Sequence, residues 1–455
     1  MPDGTSRPVT VGLDIGTSSV KAIAADDDGR VVARARVPHA VHVPVPGRFE
    51  HDVRQAWCDG PRTALDLITA EVGADAVRGV NVAAMVPSLT AVAADGTPLL
   101  PGLLYGDERG RERAVPGEEH QQESGELVSF LRWCAAEAPD AAGYWPAQAV
   151  ANHALSGAAV IDYSTASTTA PLFDFAGGWD AGVATAAGAR VDQLPGLAMP
   201  GQRIGTVGPD GPALAAGCID AFAEQMIADA REVGDVLVIL GTTLITWAVT
   251  GSDATVPGYW VIPQGAGGAK LLGGPSNAGG MFVDWVARML GDTDGPVSPG
   301  RVPVWAPYPR GERAPLNDPD RRAVLADLEL GHDAAAVRRA GFEASGFVVR
   351  RILDAARDHH GTTPRRLVLT GGGTRVDDWV QAIADVTGLA CDCVLVPEGA
   401  ALGSAFLARI AAGLEEPAAL AEGGRWARTG RTVEPDPAWA AAVDDRYARF
   451  LELSA

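Results

Sequence analysis

Lysine is almost absent from this chain of 455 residues. Lys21 and Lys270 are the only two, so nearly all of the 37 basic side chains are arginine, set against 57 acids. A formal charge of −20 lacks the dense basic surface that neutralises phosphates, which speaks against nucleic acid and anionic membrane as partners. Cysteine is scarce as well. Cys58, Cys134, Cys218, Cys391 and Cys393 are an odd number without a Cys-x-x-Cys pair, as expected in a reducing compartment and without structural zinc. No uninterrupted apolar run reaches the roughly 20 residues of a membrane span, and the first residues lack the apolar stretch of a signal peptide. The expectation is a soluble cytoplasmic protein.

What is present is ordinary globular material, 47% hydrophobic and 21% charged, long enough for two large units or about three of ordinary size. With 55 glycines and 32 prolines, tight turns should be many. An internal echo organises the rest. Val11-Gly-Leu-Asp-Ile-Gly-Thr-Ser-Ser-Val-Lys-Ala returns without a gap as Val236-Leu-Val-Ile-Leu-Gly-Thr-Thr-Leu-Ile-Thr-Trp. Each copy reads as a β-branched strand, a Gly-Thr turn and a second strand, so two halves of a duplicated α/β architecture are expected. Gly-Thr turns between strands also arise by chance.

Apolar spacing predicts helices over Gln55 to Val72, through most of Leu127 to Leu155, over Ala334 to Asp358 and over Gly399 to Ala412. Val80 to Val92 and Arg366 to Thr370 read as strands, and Gly102 to Arg113 as a turn entering a charge run. With no long linker, one boundary is expected near Arg231 to Asp235, giving domains 1–230 and 231–455.

Several constellations could carry chemistry. Asp14-Ile-Gly16-Thr17-Ser18 puts a carboxylate at a strand end and then a turn whose amides can hold phosphate oxygens while the acid binds hydrated magnesium. The second turn, Gly241-Thr242-Thr243, has Ile239 in place of Asp14, and so suits phosphate alone. Either hairpin by itself is equally well a plain β-turn. Gly371-Gly372-Gly373 lies between strand and helix, where backbone can approach an anion or nucleoside. Asp220, in Gly-Cys-Ile-Asp220-Ala-Phe, is a candidate general base at a helix start, although an N-cap is the commoner role there. A P-loop, a Rossmann fingerprint, a zinc motif and a Gly-x-Ser-x-Gly elbow are all missing.

Together with Tyr105-Gly-Asp107-Glu-Arg109, Asp162-Tyr-Ser-Thr-Ala-Ser and Pro307-Tyr-Pro-Arg-Gly-Glu312-Arg313-Ala-Pro, these segments resemble the FGGY carbohydrate kinases, in the family's order over almost the whole chain. Xylulokinase-like members are the nearest in pattern. The resemblance implies two ribonuclease-H-like domains of the actin and hexokinase type, with a cleft between them for ATP, Mg2+ and a small sugar or polyol. It further implies Asp220 as the base that takes the proton of the attacking hydroxyl and Asp14 as the acid that positions Mg2+ through water. Gly16, Thr17, Ser18, Gly241, Thr242 and Thr243 would belong to the two phosphate turns. Gly279, Gly372 and Gly373 would face ribose and adenine, and a homodimer is the common assembly of such kinases.

Met85, Asp107 and Arg109 would join Asp220 at the sugar, but the sequence departs from the pattern there. Met85-Val86-Pro87 stands where xylulokinases carry Gln-Met-His, Tyr105-Gly106 replaces Trp-Asn, and the stretch from Arg113 to Leu127 is abbreviated. A pentulose such as xylulose is the first expectation. A specialised alcohol, a catalytically silent sugar or nucleotide sensor, and an actin-like ATPase are the alternatives. Glu312 and Arg313 are expected to fix their own loop, and Tyr105, Trp285 and Trp379 to pack.

Overall fold

The computed structural model describes residues 7–110, 124–263, 268–291 and 295–455. The chain divides into two compact units, residues 1–227 with 400–426, and residues 228–399 with 427–455.

Unit 1 is built on β1 (Val9–Ile15), β2 (Ser19–Ala25) and β3 (Val31–Pro38), an antiparallel meander. Helix α1 (Gly60–Val72) leads to β4 (Val77–Ala84), which runs parallel to β1. After α2 (Ala147–Ser156) comes β5 (Ala213–Ala215), parallel to β4. The sheet order is therefore β5-β4-β1-β2-β3. Every residue of β1 is buried, as a strand covered on both faces requires. A short strand, β6 (Cys218–Ile219), pairs with the last two residues of β4 and opens directly into α3 (Asp220–Ala228).

Unit 2 repeats the plan. β7 (Asp235–Leu240), β8 (Leu244–Thr250) and β9 (Lys270–Ser276) form the meander, followed by α4 (Gly280–Leu290) and α5 (Ala334–His360). β10 (Arg366–Thr370) then lies parallel to β7, and after α6 (Asp377–Thr387) β11 (Cys391–Val394) lies parallel to β10. The core order β9-β8-β7-β10-β11 matches that of unit 1, with one further strand on each edge. The duplicated α/β architecture legible in the echo is thus a repeated ββ β-α-β-α-β unit.

Three expectations differ from the structure. The boundary is not single: the helix Gly399–Ala411 carries residues 400–426 back to unit 1. The cause is backbone-close packing, since a Cβ on Gly12 or Gly79 would strike the carbonyl of Ala401 or Ala408, and one on Gly403 that of Ala223. Val80 to Val92 is two strands, β4 and Ser88–Val92, interrupted at Met85-Val86-Pro87. The span Leu127 to Leu155 holds a helix to Glu137, a strand Gly143–Trp145 and then α2, because Pro139 and Pro146 break the periodicity. The abbreviated stretch beginning at Arg113 lies outside the described residues as far as 123. Among the described residues no helix is long and apolar enough to cross a membrane.

Candidate active site

Buried Asp14 is the last residue but one of β1, and the hairpin turns through Gly16 to Ser18, closed by the Gly16 amide donating to the Ser19 carbonyl at 3.1 Å. The carbonyls of this turn are held from inside. The His39 amide donates to the Ser18 carbonyl at 3.0 Å. The Trp57 indole N–H donates to His51 Nδ1 at 3.0 Å, which leaves the hydrogen of His51 on Nε2, 2.8 Å from the Thr17 carbonyl. Burial pushes His51 down to about 4, so the ring is neutral at physiological pH. The Tyr105 hydroxyl meets Thr17 Oγ1 at 2.9 Å, a sharper role than the packing expected of it. Among the described residues no carbonyl accepts from the amides of Thr17 or Ser18, so both remain available to an anion.

The second chemical element is delivered by β6. Gly217, at φ +91°, donates its amide to Asn81 Oδ1 at 2.9 Å, and Asn81 Nδ2 donates to Ser404 Oγ at 2.9 Å. From α2, Asn152 Nδ2 donates to the Ala216 carbonyl at 2.9 Å and Gln148 Nε2 to that of Ala84 at 3.0 Å. So pinned, the segment places Asp220 as the first residue of α3. Its Oδ1 accepts from the adjacent Ala221 amide at 2.7 Å, not from an amide two or three positions on as an N-cap would. Burial, and then the nearby charge of Asp14, lift the Asp220 carboxyl to about 7, while Lys21 opposes the shift. Lys21 Nζ lies 3.2 Å from Asp14 Oδ2, and its own pKa is raised, by Asp14 foremost.

Sequence reasoning passed over two members of this cluster, Lys21 as a site residue and Glu224. Glu224 follows Asp220 by one helical turn and is lifted to about 8 by burial, then by Asp220 and Asp14. The acid repeated at i and i+4 beside the proposed base was the signal to find it. Among the described residues no three His, Cys, Asp or Glu side chains converge on a metal position. Asp14 alone nevertheless suits magnesium, which commonly keeps several waters and takes one or two carboxylates together with substrate phosphates.

In unit 2 the turn from Gly241 to Thr243 is closed by the Gly241 amide on the Thr243 carbonyl at 3.1 Å. The start of α4 docks on it, Gly280 and Met281 donating to the carbonyls of Gly241 and Thr242 at 2.9 and 3.0 Å. Gly279 lacks a side chain because a Cβ would strike the Thr243 backbone, and Gly373 because one would strike Trp379 and Leu240. Only Gly372, of the three glycines expected to face the nucleoside, has open space where a Cβ would stand.

Two family models match: that of the FGGY family of carbohydrate kinases, N-terminal domain, over residues 9–218, and its C-terminal domain over residues 250–412. The chain belongs to the FGGY family of carbohydrate kinases. It is 26% identical to the xylulose kinase of Escherichia coli, over 89% of this chain and 90% of that one. To the glycerol kinase of Rhodospirillum rubrum it is 29% identical, over 92% and 93%. The solved structure of the Rhodospirillum rubrum xylulose kinase superimposes with a TM-score of 0.80 at 26% identity, covering 98% of each chain. As an FGGY kinase, the protein catalyses ATP-dependent phosphorylation of a carbohydrate hydroxyl, on two domains of the actin and hexokinase type.

The segments that reveal this FGGY kinase to the eye are not all exposed chemistry. Asp107 and Arg109, expected at the sugar, are 0% and 1% exposed. Arg109 Nε and Nη2 donate to the two Asp107 oxygens at 2.8 and 2.6 Å, its Nη1 lies 2.8 Å from Glu50, and the Phe49 amide donates to Asp107 at 2.7 Å. The pair thus closes an internal network. Met85 is buried in the core of unit 1, its amide on the Ile15 carbonyl at 3.3 Å. Asp162 caps the short helix Tyr163–Ser167 through Thr165 and Ser164 and is pushed by burial to about 6. Glu312 fixes its loop as expected, but through amides and a hydroxyl: it accepts from Ser276 Oγ at 2.7 Å, Asn277 N at 3.0 Å and Arg313 N at 2.6 Å. Trp379 is buried in the unit 2 core, and Trp285 packs against it.

Proposed function

We propose that this kinase transfers the γ-phosphoryl group of ATP to a hydroxyl of a small polyol or ketose, a pentulose such as xylulose being the first candidate, with Asp220 as general base. The observation that carries the reading is Asp220 itself, half-buried at the start of α3, lifted to about 7, in the field of Asp14 and Lys21. A base of that pKa is about half ionised at neutral pH and largely so above it, yet basic enough to take a proton as the acceptor oxygen attacks. Proton removal of this kind contributes about 10² to 10⁴ in rate, the remainder coming from positioning and charge neutralisation of a metaphosphate-like transition state.

The free amides of Thr17 and Ser18 would hold phosphate oxygens, and Thr242 and Thr243 would do the same from unit 2. Asp14 would hold hydrated Mg2+, which when bound supplies positive charge against the nucleotide phosphates. Lys21 keeps Asp14 in place and restrains the rise of the Asp220 pKa.

ADP release measured with ATP and Mg2+ over ketoses, pentitols, glycerol and gluconate, beside Asp220→Asn, tests this. One alcohol should be turned over by the wild type and not by the variant. Equal turnover in both would remove Asp220 from the mechanism.

A further inference from the structure

We propose that Glu224 is a specificity-determining residue of the acceptor site: it holds the hydroxyl on the carbon next to the reacting one, and so directs the enzyme to neutral polyols and ketoses rather than acid sugars. This rests on the kinase reading above and adds a substrate class to it.

Geometry comes first. Asp220 opens α3 and Glu224 follows four residues later, on the same face of the helix. Side chains so spaced have Cβ atoms about 5–6 Å apart, which lets two carboxyl groups address two oxygens on neighbouring carbons. Glu224 is half-buried and its carboxyl accepts a hydrogen bond from the Ala400 amide, and one such bond leaves acceptor and donor capacity for a ligand. Among the described residues it forms no salt bridge and joins no metal-binding group, so neither role accounts for it.

Demand is the second observation. Asp107 and Arg109 spend their hydrogen-bonding groups on each other, Glu50 and Phe49, and Met85 is apolar and buried. A hydroxylated substrate at Asp220 must therefore find its remaining partners elsewhere, and Glu224 is the nearest titratable group on the same helix.

Charge decides the class. Burial, Asp220 and Asp14 together hold the proton on Glu224 at neutral pH, and the cation that opposes them, Lys21, is engaged by Asp14. A protonated carboxyl both donates and accepts, as does a hydroxyl. An incoming carboxylate would meet the same burial and the same two negative neighbours, and would be disfavoured for the same reasons.

The experiment uses the full chain as wild type, Glu224→Gln and Glu224→Ala, with xylulose, ribitol and gluconate as acceptors. The wild type should turn over a neutral acceptor and not gluconate. Glu224→Ala should raise KM for that acceptor about tenfold, the size of one lost hydrogen bond, with KM for ATP unchanged. Glu224→Gln, which also donates and accepts, should restore it. An acceptor lacking the hydroxyl beside the reacting carbon should lose as much in the wild type, and nothing further in Glu224→Ala, a readout independent of how well either variant folds. Preference of the wild type for gluconate, an unchanged acceptor KM in Glu224→Ala, or equal rises in both KM values would overturn the inference. If the wild type releases no ADP with any acceptor, the kinase reading falls. The thermal shift induced by the same acceptors then still decides Glu224, since equal shifts in wild type and Glu224→Ala would overturn its role.

Discussion

The two hairpins that echo each other in sequence are not copies in register. In unit 1, Ile15 pairs with Val20 across a turn, whereas in unit 2 Leu240 pairs with Leu244, so the second turn is one residue shorter. The slip moves every later residue of β8 to the other face relative to β2. Across from Asp14 stands Lys21, and across from Ile239 stands Ile245. One scaffold thus presents an acid paired with a lysine, and the other an apolar pair beneath equally open amides. The difference teaches a division of labour under the proposed function: unit 1 would carry the charges that handle metal and proton, and unit 2 would only grip phosphate.

Abolishing the charged pair should give the largest effect. Asp14→Asn should lower kcat by about 10² or more, in the range typical of lost electrostatic stabilisation, while ATP binding measured by calorimetry survives. If ATP binding is lost with activity, the two turns do not share the grip as proposed.

A pH profile sharpens the same comparison. A general base acts when ionised, so log kcat/KM for the acceptor should climb with pH and level off above about 7, where Asp220 has lost its proton. Lys21 is the side chain that lowers the Asp220 pKa, so Lys21→Met should move this limb to higher pH. An unmoved limb would assign it to another group.

How much of this was legible beforehand follows from the range of the contacts involved. The echo, β10 and α5 were readable because strand and helix periodicity is local. The return of residues 400–426 to unit 1 was not, because Gly399–Ala411 reads like any small-residue helix and its partners Gly12 and Gly79 lie hundreds of positions away. Asp107 and Arg109 were expected at the sugar, and their mutual closure was not legible, because only the fold brings Glu50 and Phe49 onto them. Glu224 was hidden by the pull of the motif that ends at Asp220.

The support beneath the first turn is the next place to probe. His51→Leu leaves the Thr17 carbonyl and the Trp57 indole without partners in a buried setting, which costs about 1–3 kcal/mol for each group. Its melting temperature should fall and KM for ATP rise. Glutamine at 51 can still donate to Thr17, so His51→Gln should recover most of the KM even if stability is only partly restored. Equal KM in the leucine variant would mean that the turn keeps its shape without the ring.

The smallest effects separate glycines that serve the fold from one that faces outward. Gly279→Ala puts a methyl against the Thr243 backbone, so α4 must move off the second turn, and both melting temperature and ATP affinity should drop. Gly372→Ala meets nothing in the protein. Its stability should therefore match the wild type, and any loss of ATP affinity there reports the nucleotide itself rather than a disturbed scaffold. An unchanged affinity would take Gly372 out of the nucleotide site and leave the second turn as the grip of unit 2.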